Sequence, residues 1–106
     1  MAFTGNENHA ISLADAAQLT ENFRLSVGTG AFLAAFFGKT ALTQALSQDG
    51  CVGIRIYNAK SATGQHNYVL VGVNDKGDDL TGGIILEFGV GCPPFCSPSS
   101  ELAGTA

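Results

Sequence analysis

The sequence predicts an α+β fold, with N-terminal helices packed on one face of a three-stranded antiparallel meander and a C-terminal Pro-rich strap behind it. Three observations carry this. Apolar residues recur at helical spacing in the first half of the chain, they alternate with period two in the second half, and every proline follows Cys92. Helices followed by strands, without βαβ alternation, segregate into α+β architecture.

The first helix is expected over residues 12 to 24. Ser12 is a natural N-cap, and Asp15 sits in the first turn, where the helix dipole favours an anion. Ala16, Leu19 and Phe23 form the apolar stripe, with Arg24 suiting the C-terminal end. "SVGTG", residues 26 to 30, breaks the pattern. "AFLAAFF", residues 31 to 37, reads as a helical turn or two in which Phe32 and Phe36 stack at i, i+4. A second helix spans 39 to 49, with Leu42, Ala45 and Leu46 inward and Gly50 as its stop.

The period then changes. "CVGIRIYNA", residues 51 to 59, alternates Val52, Ile54 and Ile56 against Gly53, Arg55 and Tyr57. "HNYVLVGVN", residues 66 to 74, alternates through Val69, Val71 and Val73. "NDKGDD", residues 74 to 79, is turn chemistry, with Gly77 suited to a positive φ. "GGIILEFGV", residues 82 to 90, is the third strand. The chain reads as one domain: an arm over 1–10, a helical half over 11–50, the meander over 51–92, and the strap with its tail over 93–106.

Composition excludes several functions. Five basic residues against nine acidic ones give a net charge of −4, and the basic residues are scattered singly. A nucleic-acid backbone needs a basic stripe, so no nucleic acid is expected as a partner. The longest apolar run is far short of a membrane span. "MAFTGNENHAISL" lacks a basic n-region and an apolar h-region, so the expected compartment is the cytoplasm, with reduced thiols. Only 13% of residues are charged and 14 are glycine, which leaves a weakly protected surface that a partner or copies of the chain would cover.

The chemical motifs resolve to structural readings. "GTGAFLAAFFGKT" ends in Gly-Lys-Thr, but a phosphate loop needs glycine where Leu33 stands. Asp75, Asp78 and Asp79 lack the alternate spacing and closing Glu of a calcium loop, and read as a solvated hairpin loop. His9 and His66 have no nucleophile context, so no catalytic residue and no cofactor is assigned. Arg55 could pair a carboxylate ligand on a face shared with Tyr57 and Tyr68, although a solvent-facing or Glu87-paired arginine is the plainer reading.

Cys92-Pro93-Pro94-Phe95-Cys96 is C-x-x-x-C, not the thioredoxin-like C-x-x-C. Residues before proline are pushed to extended conformations. The two sulfurs therefore meet only if Phe95 turns the chain back or a prolyl bond is cis. The favoured reading is a rigid strap with the cysteines as packing groups. The alternative is a thiol-based metal or redox site of Cys51, Cys92 and Cys96. Gly53 and Gly72 interrupt apolar strands. If both point away from the helices, they leave a smooth patch beside Tyr57 and Tyr68, and with Phe95 these residues form the candidate subunit interface.

At "DGCVGIRIYNA", "LVGVNDKGDD" and "ILEFGVGCPPFCS" the chain resembles a group of small bacterial proteins with a Gly-Cys-x-Gly-Ile-Arg strand and a Cys-Pro-Pro-x-Cys ending. The likeness covers about residues 9 to 100. It implies a bacterial, cytoplasmic, single-domain protein and lends no catalytic residue. The expected function is a self-associating structural or interaction module, a homo-oligomer without catalysis. The alternative remains the thiol-based role of the CPPFC motif.

Overall fold

A computed structural model describes residues 2–106. The elements are α1 (Leu13–Ser26), β1 (Ala34–Phe36), α2 (Lys39–Leu46), β2 (Gly53–Lys60), β3 (His66–Val73), β4 (Ile85–Glu87) and β5 (Val90–Cys92). The fold is α+β, and its main sheet is antiparallel in the order β2-β3-β4. β1 and β5 form a separate two-stranded sheet. The chain divides into two compact units, one of residues through Glu7 with Ala35–Val90, the other of Asn8–Ala34 with Gly91–Ala106.

In the first unit β2 and β3 pair in register from Gly53↔Val73 to Lys60↔His66. β4 adds only Val69↔Glu87 through Val71↔Ile85. α2 packs on β2 and β3. Ala45, Leu70, Val71 and Val73 form the core of this unit, each 5% exposed or less. Leu46 is not inward as its spacing suggested but 49% exposed. Gln48 takes the inward role instead. Its Nε2 donates to Ala45 O at 2.7 Å, and its Oε1 accepts from Ile84 N at 2.8 Å. It thereby satisfies a helix-end carbonyl and the approach to β4 together. Gly77 takes the expected positive φ, 83°, but α2 ends at Leu46 with Ser47 as its C-cap, so Gly50, at φ 77°, lies beyond the helix and is not its stop.

The third strand is not continuous. It breaks into β4 and β5 at Phe88, whose φ is 60°, and Gly89. A Cβ at Gly89 would come within 2.7 Å of the Ala35 Cβ, so only glycine allows this approach. Asn67, 8% exposed, holds the break in place by bonding both polar groups of the Gly89 backbone.

In the second unit Ser12 caps α1 as expected, accepting from Asp15 N at 3.1 Å. The inward row differs from the expected stripe. Ala16, Ala17, Thr20 and Arg24 are the half-buried positions, while Leu19 and Phe23 are 61% and 47% exposed. Arg24 Nη1 donates to Leu102 O at 2.8 Å, which draws that row toward the tail. The tail closes on itself through Thr105, whose N donates to Ser100 O at 3.0 Å and whose hydroxyl donates to Ser97 O at 2.8 Å.

"AFLAAFF" holds no helix; its Ala34–Phe36 part is β1. A helix of seven residues between Gly30 and Gly38 is marginal without tertiary packing to support it. Pairing with β5 supplies the backbone partners that an isolated turn lacks.

Cys92 and Cys96 are disulfide-bonded, with Cα atoms 4.6 Å apart. This corrects the expectation of free packing thiols. The Cys92-Pro93 and Pro93-Pro94 bonds are both cis, and Phe95 N donates to Gly91 O at 3.0 Å. The segment folds back on itself where an extended strap was expected.

Candidate functional site

Arg55 and Tyr57 are two residues apart on β2, so the strand period places both on one face with Val69, Val71 and Val73. Asp79 is delivered to them by the β3–β4 connection. A bridge pairs Val73 with Asp79, and Leu80 N donates to Gly72 O at 2.8 Å. Arg55 Nη1 then donates to Asp79 Oδ1 at 2.5 Å and to Gly77 O at 3.1 Å. The Tyr57 hydroxyl donates to Asp79 Oδ2 at 2.5 Å. The guanidinium also lies 5.6 Å from the centre of the Phe3 ring, a cation–π distance. Phe3 is held there by its own N–H, which donates to Asp75 O at 3.1 Å.

Electrostatics follow from this geometry. The Tyr57 hydroxyl bond, opposed by desolvation and supplemented by Arg55, holds the Asp79 carboxyl below its ordinary range. Asp79 in turn raises Arg55 and Tyr57 above theirs. Both carboxylate oxygens and the arginine are engaged within the chain, so a carboxylate ligand would have to displace Asp79. The partner of Arg55 is Asp79 and not Glu87, and Asp79 is not a freely solvated loop residue. The cluster pins the β3–β4 connection to β2.

A cavity of about 110 Å³ lies where β2, β3 and β4 end, bordered by Lys60, Gln65, Asn67, Glu87 and Phe88. Pockets for drug-sized ligands run to roughly 300–1,000 Å³, so this one fits only a few atoms.

The residues expected to form one interface do not share a surface. Tyr57 lies opposite Val69 and Gly53 opposite Val73, whereas Tyr68 lies opposite Asn58 and Gly72 opposite Ile54. Period two therefore puts Gly53 and Tyr57 on one face, and Tyr68 and Gly72 on the other. Gly72 is buried, and a Cβ there would meet Gln48 Nε2 at 2.9 Å, Cys51 Sγ at 3.0 Å and Leu80 Cδ1 at 3.3 Å. Phe95 belongs to the second unit and is 71% exposed.

Cys51 is the free cysteine; its thiol donates to Gly53 O at 3.2 Å in the first unit. Cys92 and Cys96 are bonded to each other in the second. Among the described residues, no group of three His, Cys, Asp or Glu side chains is placed to hold a metal ion. His66 Nε2 lies 2.9 Å from Asn58 Oδ1, and its ring meets Tyr68 edge-on at 5.6 Å.

Asn67, Gln48 and Asp79 escaped the sequence reading. A polar residue in a strand or after a helix reads as solvent-facing, and only its distant partners reveal otherwise. Comparison with protein-family models, curated proteins and solved structures finds no match. Among the described residues no helix is long and apolar enough to cross a membrane.

Proposed function

We propose that the protein is a self-associating structural or interaction module that acts without catalysis. The observation that carries this is its exposed apolar surface. Leu25 is 80% exposed, Phe36 65%, and Leu19 and Ile56 61% each, while α1 buries no residue fully. Exposed side chains of this size and number mark surfaces that other copies cover. Sedimentation velocity over a wide concentration range tests the reading. Growth of larger species with concentration is the expected result, and a monomer at every concentration overturns it.

A second reading rests on the Cys92–Cys96 bond beside the exposed Phe95. Such a pair can exchange with an external dithiol. Two electrons and two protons pass to Cys92 and Cys96, and the donor closes its own disulfide. Thiol titration then finds one thiol, that of Cys51, in unreduced protein and three after reduction. The same bond bears on compartment. A reducing cytoplasm opens an accessible disulfide of ordinary potential, whereas an oxidising compartment preserves it. In-cell thiol labelling decides between the cytoplasmic placement proposed for a bacterial protein and an oxidising one.

A further inference from the structure

We infer that the outer edge of β2 pairs with the β2 edge of a second copy, antiparallel about Ile56, joining two three-stranded sheets into one of six strands. This rests on the self-association reading above and names the surface that would carry it.

The sheet order β2-β3-β4 leaves β2 on an edge, and at eight residues it is far longer than β4, the opposite edge. Which backbone groups point outward follows from register. Ser61 N donates to Gln65 O at 2.9 Å, and Lys60 pairs with His66. Antiparallel ladders alternate, so the odd-numbered residues from Gly53 to Ala59 bond inward to β3. Ile54, Ile56, Asn58 and Lys60 turn their N–H and C=O groups outward. An edge of this kind is a template for another strand. The usual blocks are missing from its middle. There is no proline, the inner charge of Arg55 is bound to Asp79, and Lys60 stands at the end.

Self-pairing is restricted to a few registers. Outward residues must face outward residues, so the two-fold axis passes through a residue and not between two. An axis at Arg55 sets arginine against arginine, which is unfavourable. An axis at Ile56 sets Ile56 on Ile56, Arg55 against Tyr57, and Ile54 against Asn58. No like charges face each other, and the 61%-exposed Ile56 side chain is covered by its own copy. This contact is isologous, so it closes at a dimer instead of growing without limit.

Two variants test the edge. Ile56→Pro removes an outward N–H and none of the bonds to β3, so far-UV circular dichroism is expected to stay unchanged. Its self-association is expected to weaken at least about tenfold. Ile56→Cys places two thiols across a directly opposed pair, where Cα atoms lie about 5.5 Å apart, within disulfide range. Mild oxidation should then give a covalent dimer on a non-reducing gel, which the wild type, with its Cys51, and an Asn8→Cys control should not give. If Ile56→Pro associates like the wild type, or Ile56→Cys fails to cross-link, the edge proposal falls while self-association through another surface stands. If the wild type is monomeric throughout, both fall.

Discussion

Asn67 grips Gly89 at both ends of its backbone. Its Nδ2 donates to Gly89 O at 3.0 Å, and its Oδ1 accepts from Gly89 N at 3.0 Å. The same Oδ1 also accepts from Tyr68 N at 2.8 Å. One side chain thus satisfies the backbone at the point where the third strand breaks. Asn67→Ala leaves these buried groups unpaired and is expected to cost about 1–3 kcal/mol. Urea denaturation measures the loss, and hydrogen exchange should show β4 and β5 opening first. An unchanged midpoint would mean that Gly89 is held by something else.

Gly53 and Gly72 lie on opposite faces of the sheet, so alanine at each should act oppositely. A Cβ at Gly53 meets nothing within 4 Å, and its φ is not positive. Gly53→Ala is expected to be neutral or to stabilise by about 0.4–1 kcal/mol, through reduced freedom of the unfolded chain. At Gly72 the neighbours Gln48, Cys51 and Leu80 leave no room, and Gly72→Ala is expected to cost about 1–3 kcal/mol. Thermal melts of the two variants in parallel check the contrast.

The Arg55–Asp79–Tyr57 cluster makes stability pH-dependent at both ends. Asp79 has a lowered folded pKa, so its contribution is complete above the unfolded carboxyl value and is lost as pH falls through the folded one. Tyr57 has a raised folded pKa, so its contribution is complete below the unfolded value near 10 and is lost as pH rises through the folded one. Tyrosinate absorbance is expected to show Tyr57 titrating above the ordinary tyrosine value. Asp79→Asn should return that tyrosine toward its ordinary value, and an unaltered titration would remove the assignment.

Glu7 closes the N-terminal turn. Its carboxylate accepts from Thr4 N at 2.8 Å and Gly5 N at 2.9 Å. The backbone donor of Thr4 is the foremost cause that brings its pKa down to about 2. The sign is that of a depressed acid: the turn is fully supported above pH 4.5 and opens as pH falls toward about 2. Amide exchange at Thr4 and Gly5 should rise through that window in the wild type and be fast at all pH values in Glu7→Gln.

The disulfide contributes by restraining a short loop. Joining residues four apart is worth about 2 kcal/mol in the chain-entropy account. Cys96→Ser is expected to loosen the second unit by that amount and to leave β2 and β3 protected. Hydrogen exchange resolved by segment distinguishes this from global destabilisation.

Local chemistry alone specified much of this molecule. Ser12 caps its helix, Gly77 shapes its turn, and the alternation through β2 and β3 marks two strands, because caps, turn glycines and period two act over a few residues. The tertiary structure decided the rest. Whether "AFLAAFF" became helix or strand depended on β5, distant in sequence. Leu19 and Leu46 look like core by spacing, yet Arg24 and Gln48 point inward because their partners, Leu102 O and Ile84 N, lie far along the chain. Asp79 reads as a loop carboxylate until the Val73 bridge brings it to Arg55. Burial and pairing between remote segments are properties of the assembled packing, and no short stretch of residues encodes them.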